Sequence, residues 1–320
     1  MIYIFILALI IAITVIYYIF KNKIKENFNN KVHYLSIEES CEFIRKNHVK
    51  YFNSFNKKDT KLRGCTSIKT CYDNYCENVL EFNEEDKKNL IYLINKVKPV
   101  LLKYFPKMEI NSDWKFIKFH TNLESGLPHT IEDCIVLSTY FTRNLNKSIR
   151  NNENFENIME YFGETLIHER IHVYQKKYPD YFNNLYNNYW NFNYLHNIKL
   201  SDRIIQNLRS NPDGQEIKWG FKYKDIFIVP VAIFKENASK INHVQYYGIL
   251  YKNNQYIGIN KLEDIRFYNN FFGNLDHIYH PHEISAVIIS LEMKNILLRK
   301  KSNNNCTAVS QLNKWLRTIS

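Results

Sequence analysis

The chain is poor in the two residues that interrupt regular structure. It has 8 glycines and 7 prolines in 320 residues, which excludes a collagen-like, low-complexity or linker-dominated protein. Its 6 cysteines are too few and too irregularly placed for a cysteine-based metal ribbon. Cys65, Cys71 and Cys76 lie close together in a polar stretch, whereas Cys41, Cys134 and Cys306 are scattered. The even count permits local disulfide pairing among the first three without requiring it. No block of like charge exists either. The net charge of +11 is spread along the chain with acidic residues interleaved, so no specific nucleic-acid footprint is expected.

One long apolar run is present. Residues 2–20, IYIFILALIIAITVIYYIF, are long enough to cross a bilayer. The run lacks the basic leading region and small-residue cleavage site of a signal peptide. It is therefore read as a retained transmembrane helix. Lys21, Lys23 and Lys25 follow it, which would make a single-pass membrane protein with its catalytic body on the cytoplasmic side. Abundant asparagine, lysine, isoleucine and tyrosine are the imprint of an AT-rich genome, such as that of a large DNA virus.

What remains is organised around His168-Glu169-Arg170-Ile171-His172. Histidines four apart lie one turn along the same helix face, so both imidazoles can reach one metal ion. Glu169 projects from the adjoining face, where it can take a proton from a water on that metal. Ile158, Met159, Phe162, Leu166, Ile171, Val173 and Tyr174 mark the helix as largely apolar. A catalytic zinc needs a third protein ligand and an open position. Suitable residues occur next at His277, His280, His282 and Glu283, where Pro281 suits a helical first turn and an apolar helix follows to Leu298.

The pattern resembles the HExxH helix of the zincin metallopeptidases. The metzincin continuation is missing, because Gln175 and Tyr178 stand where its glycine and last histidine would be. Glu283 followed by the small Ala286 is similar to the second-helix glutamate of gluzincins; His280 and His282 are the alternatives. The resemblance covers about residues 114–300. It implies an α+β zincin-like fold, a small sheet packed on the HExxH helix and a second ligand helix, with the transmembrane helix in front. It also implies Zn2+ held by His168, His172 and Glu283, with Glu169 as general base. The partner would be a peptide or protein substrate, cleaved most simply as by an endopeptidase. Arg170, charged where zincins usually are not, is expected to snorkel to the cleft rim. Oxyanion stabilisation is open among Tyr246, Tyr247, Tyr279 and His280. A catalytically idle membrane protein retaining the fold is the alternative.

The remaining signals place elements. Ser36 and Glu39 suggest a capping box for a helix to about Phe52, and Asn83 caps a second helix. Lys57 to Asn74 reads as a loop. Residues 21–105 are a helical stalk or cover, 106–300 the catalytic domain, and 301–320 a polar tail. Strands are expected at Trp114 to His120 and Asp133 to Phe141; the resemblance makes the second an edge that extended substrate could join. A β-rich insert of about 211–275, opened by the turn Asn211-Pro212-Asp213-Gly214, carries strands at 226–234, 243–251 and 256–259.

Overall fold

The computed structural model describes residues 31–319 apart from 197, 215–216, 274, 276–278 and 303–305. Two five-stranded sheets share the chain with helices that build the main core. The first sheet runs β1 (Val32–Tyr34), β3 (Trp114–Phe119), β5 (Cys134–Ser138), β4 (His129–Ile131), with β2 (Val79–Leu80) also paired to β3. β1, β3 and β5 are parallel, while the edge strand β4 runs antiparallel to β5. Every residue of β4 and β5 is buried. Such near-continuous apolar strands are expected where both faces of a sheet are covered.

The helices start where the side chains allow. Ser36 and Glu39 form the capping box of Ile37–Asn47, and Asn83 with Asp86 that of Glu84–Tyr104. The chain Phe155–Ile158, capped by Asn154, passes through a π-helical turn at Met159–Gly163 into the motif helix Glu164–Lys177. The glutamate helix Pro281–Leu297 has Pro281 in its first turn and Glu283 just inside it. These two helices pack together. At their far ends Lys294 Nζ joins Glu160 at 2.7 Å and Glu164 at 2.6 Å.

Between them comes the second sheet, in the antiparallel order β10-β9-β8-β7-β6. Its strands are β6 (Phe192–Tyr194), β7 (Trp219–Tyr223), β8 (Ile226–Phe234), β9 (Val244–Lys252) and β10 (Gln255–Lys261). Asn253 and Asn254 close the β9–β10 hairpin with φ of 51° and 60°. Asparagine tolerates that left-handed pair well, and it matches the twist of the strands.

Several expectations are corrected. The fold is mixed helix and sheet, but its membrane part fails. No helix among the described residues is long and apolar enough to cross a membrane. The longest, Glu84–Tyr104, carries three acids in its first turn and lysines along its length. The span at 2–20 lies outside the described residues, and the single-pass membrane location with a cytoplasmic-side body has no support. Lys57 to Asn74 is not a loop; it holds the helices Lys57–Leu62 and the start of Ile68–Glu77, capped by Asn56 and Ser67. The strand ends at Ser138, whose hydroxyl caps the helix Thr139–Arg150, and it is interior rather than an edge. At the other end, Thr307–Ile319 is a helix that buries Val309, Leu312, Trp315 and Leu316 in the main core. Of the local cysteines, Cys65 and Cys71 are paired.

The region before residue 105 is joined to the rest by strands and by charge. Arg63 reaches Asp59 at 2.6 Å and Glu124 at 2.8 Å, all three buried, and its Nη2 donates to Ser210 O at 3.1 Å. Tyr51 and Tyr75 donate to the same Glu124 carboxylate. Glu124 and Ser125 sit at φ 46° and 54°, a conformation that costs a non-glycine residue on the order of 1 kcal/mol and is held here by those bonds. Burial disfavours the Glu124 carboxylate, yet the Arg63 charge, the charge of His129 and the bonds from Arg63 and Tyr75 outweigh it, holding its pKa down at about 2.

A depressed carboxyl pKa stabilises the fold at pH above the ordinary carboxyl value and loses that contribution as pH falls toward the folded value. Glu124 should therefore contribute about 3 kcal/mol above pH 5, by the linkage of shift to stability, and lose it between roughly pH 4.5 and 2. Urea unfolding of Glu124→Gln and parent across pH 2–6 checks this. The difference between them should be largest above pH 5 and shrink toward pH 2; a pH-independent difference would contradict it.

Candidate metal centre

His168 and His172 stand one turn apart on the motif helix, and Glu283 meets them from the first turn of the glutamate helix. The two Nε2 atoms are 3.0 Å apart. Glu283 Oε2 is 3.5 Å from His168 Nε2 and 3.8 Å from His172 Nε2. A point equidistant from these three atoms lies about 2.0 Å from each, within the range of zinc–nitrogen and zinc–oxygen bonds. Tetrahedral donors around such an ion would be about 3.4 Å apart, which is also the mean of the three separations. Among the described residues this is the one cluster of three or more histidine, cysteine or acidic groups arranged to hold a metal.

The residues behind the donors fix their orientation. Gln175, one turn beyond His172, accepts from its Nδ1 at 2.7 Å. The Gln175 amide nitrogen donates to His282 O at 2.9 Å and Ser285 Oγ at 2.8 Å. Its oxygen must therefore face the imidazole, which puts the His172 proton on Nδ1 and leaves the Nε2 lone pair toward the site. Glu283 Oε1 accepts from Asn211 Nδ2 at 2.6 Å, leaving Oε2 toward the histidines.

Glu169 is buried, lines the cleft beside His168, and keeps out of the donor triangle. The Thr130 hydroxyl approaches its Oε2 at 2.9 Å. The site is rich in negative charge, with Glu169, Asp213 and Glu283 together, while Lys176 pairs with Asp213 at 3.0 Å. The proton affinities of the buried groups follow that imbalance. Burial, then the Asp213 charge, push the Glu169 carboxyl up to about 8. Burial disfavours the His168 imidazolium, but its bond to Glu283 and the charges of Glu169, Glu283 and Asp213 prevail and raise it to about 9. Burial lowers His172, while the two histidines hold Glu283 well below the usual carboxylate range against its own burial. Protons here answer a charge that a divalent cation would answer better.

The other expected ligands do different work. His280 Nδ1 accepts from His282 N at 3.2 Å as the cap of the glutamate helix, and His282 Nδ1 bonds to Asp213 O at 3.1 Å. Gly214 sits against this pair; a β-carbon there would lie 2.8 Å from His280 Cγ. His277 lies outside the described residues. Arg170 does not reach the cleft rim. It is fully buried on the opposite side, with Nε and Nη2 on Glu109 Oε2 at 2.9 and 2.8 Å, further bonds to Ser112 O and Asp113 O, and its guanidinium stacked 4.2 Å over Trp114. Four hydrogen bonds to one carboxylate oxygen and two carbonyls make that burial tolerable.

A cleft of about 170 Å³ opens over the donors, walled by Pro128, His129, Arg209, Tyr246 and Tyr279. Of the oxyanion candidates, Tyr246 and Tyr279 line it, their rings stacked at 4.9 Å. Tyr247 and His280 do not line it. Sequence reasoning missed Gln175, Thr130, Arg209 and Asn211 as parts of the site. For Gln175 a signal existed in its position three residues beyond His172; the others arrive from distant loops and strands with no local signature.

No protein-family profile, curated protein or solved structure matches the chain. The resemblance to zincins thus rests on the motif and the donor geometry.

The role of Gln175 is open to measurement. Gln175→Ala should weaken zinc binding roughly 10- to 100-fold, as loss of an orienting partner does elsewhere, and Gln175→Glu, which keeps the acceptor toward His172 but loses the donations to His282 O and Ser285 Oγ, should fall between it and the parent. Competition with a chromophoric chelator reads both. Unchanged zinc affinity in Gln175→Ala would show that the amide orients nothing.

Proposed function

We propose that the chain is a zinc metallopeptidase. The observation that carries this reading is the triangle of His168 Nε2, His172 Nε2 and Glu283 Oε2, with a second carboxylate, Glu169, beside it and not in it. A purely structural zinc would take a fourth protein ligand and need no base. Zinc bound by the three would lower the pKa of a water and polarise the scissile carbonyl.

The chain's own residues supply the rest. Glu169 takes the water proton on its carboxylate and passes it to the leaving amine. Thr130 holds the Glu169 Oε2 so that the carboxylate cannot swing into the donor triangle. Tyr279 accepts hydrogen bonds at Oη from Arg209 Nη1 and Asn211 Nδ2. Its own hydroxyl proton has no acceptor among the described residues, so it suits a developing oxyanion in the cleft.

Glu169→Gln should keep zinc and fold but lose peptide hydrolysis by about 100-fold or more, the scale of general-base catalysis. His168→Ala and His172→Ala should lose zinc as well. The measurement is zinc per chain beside cleavage of a mixed peptide library by each variant. Full activity in Glu169→Gln would remove the mechanism; a zinc-loaded parent that cleaves nothing would remove the peptidase.

A further inference from the structure

The cleft contains a cation that forms no ion pair with any acid among the described residues. Arg209 is half-buried in the cleft wall, and its Nε is shut off from solvent without an acceptor. Nη1 donates to the Tyr279 hydroxyl at 3.1 Å. Among the described residues Arg209 makes no ion pair, because the nearby acids Asp59 and Glu124 are both bonded to Arg63. An unpaired, partly desolvated guanidinium is costly, and its planar fork fits a carboxylate better than any neutral group.

The position of Arg209 relative to the metal donors says which part of a substrate it would meet. It lies two residues before Asn211, whose amide holds Glu283, and both line the cleft. Arg209 Nη1 and Asn211 Nδ2 both donate to the Tyr279 hydroxyl, so the guanidinium stands one hydroxyl away from the amide that holds Glu283. A carboxylate on the residue after a metal-held carbonyl would fall beside it.

The usual alternative, a peptide added as a strand to the sheet edge, is closed here. Thr130 in β4 turns its backbone outward, and its N–H is taken by Asp213 Oδ1 at 3.2 Å and Oδ2 at 3.3 Å. Its carbonyl is taken by Lys176 Nζ. Pro128, the next outward position, has no N–H to offer. Backbone pairing at Thr130 is therefore closed to a substrate, which leaves more of the grip to the side chains that line the cleft.

We propose that Arg209 makes this site selective for substrates bearing a carboxylate one residue beyond the scissile carbonyl, either a free C-terminus or an acidic side chain. This rests on the zinc peptidase reading, and a binding experiment separates the two. The probes are mercaptoacetyl-Gln with a free α-carboxylate, mercaptoacetyl-Glu amide with a side-chain carboxylate, and mercaptoacetyl-Gln amide with neither. Their thiol anchors on zinc, so no turnover is needed.

The protein is first assayed for zinc, then titrated with each probe by calorimetry. At least one acid should bind tenfold or more tighter than the neutral amide, and the tighter acid identifies the source of the carboxylate. Arg209→Gln should erase that preference, bringing the ratio of acid to neutral-amide affinity within the variant to about one whatever happens to the absolute affinities, which also feel the loss of its bond to Tyr279; Arg209→Lys should restore part of the ratio. Equal binding of all three probes by zinc-loaded protein would overturn this inference alone, as would a preference that survives Arg209→Gln. Failure to take up zinc, or to bind any thiol, would overturn the peptidase reading and this inference together.

Discussion

The amide of Gln175 sets the relation between the two halves of the site. One end of it accepts from His172, and the other donates into the first turn of the glutamate helix, at His282 O and Ser285 Oγ. A single planar group thus fixes a histidine tautomer and the register in which Glu283 faces the motif helix. Were the glutamate one position earlier or later on its helix, it would point about 100° away from the histidines, and the donor triangle would be lost. Lys294, bridging Glu160 and Glu164 at the far ends, opposes a slide of one helix along the other.

A second constraint comes from the segment 209–214. It leaves the second sheet through the hydrogen bond of Arg209 N to Ala232 O, then delivers Asn211 to Glu283 and Asp213 to Thr130 and Lys176. The helices before residue 65 hold this segment from behind, through Asp59 on Ser210 and Asn56 on the carbonyls of Ile205 and Leu208. The position of the third donor therefore depends on residues more than two hundred positions away from it. The acids gathered there, Glu169, Asp213 and Glu283, face one lysine, paired with Asp213, and Arg209 in the cleft wall, which pairs with none of them. Bound protons or a bound cation lower the cost of holding them together.

Those dependencies explain what could and could not be read from the residues. The motif helix was legible because metal spacing and helical periodicity coincide at His168 and His172. The capping box at Ser36 and the N-cap at Asn83 were legible because they are local. Glu283 could be named from its helix start, but choosing it over His280 and His282 needed the fold: Asp213 O occupies one histidine and the helix cap the other. Arg170 was misjudged because its acceptors, Glu109 and the carbonyls at 112 and 113, come from a separate turn. The C-terminal helix was taken for a polar tail although Val309, Leu312, Trp315 and Leu316 repeat at helical spacing; the polar residues between them hid the stripe. The membrane expectation came from residues 2–20 alone, and nothing in the described fold supports it.

Zinc held by two imidazoles and one carboxylate is the claim on which the function stands, and X-ray absorption at the zinc edge of the loaded protein tests it most directly. The account predicts one tightly bound zinc per chain with only nitrogen and oxygen neighbours at about 2.0–2.1 Å, two of them showing the outer-shell scattering of imidazole. A sulfur shell near 2.3 Å, or a protein that holds no zinc after dialysis, would contradict it.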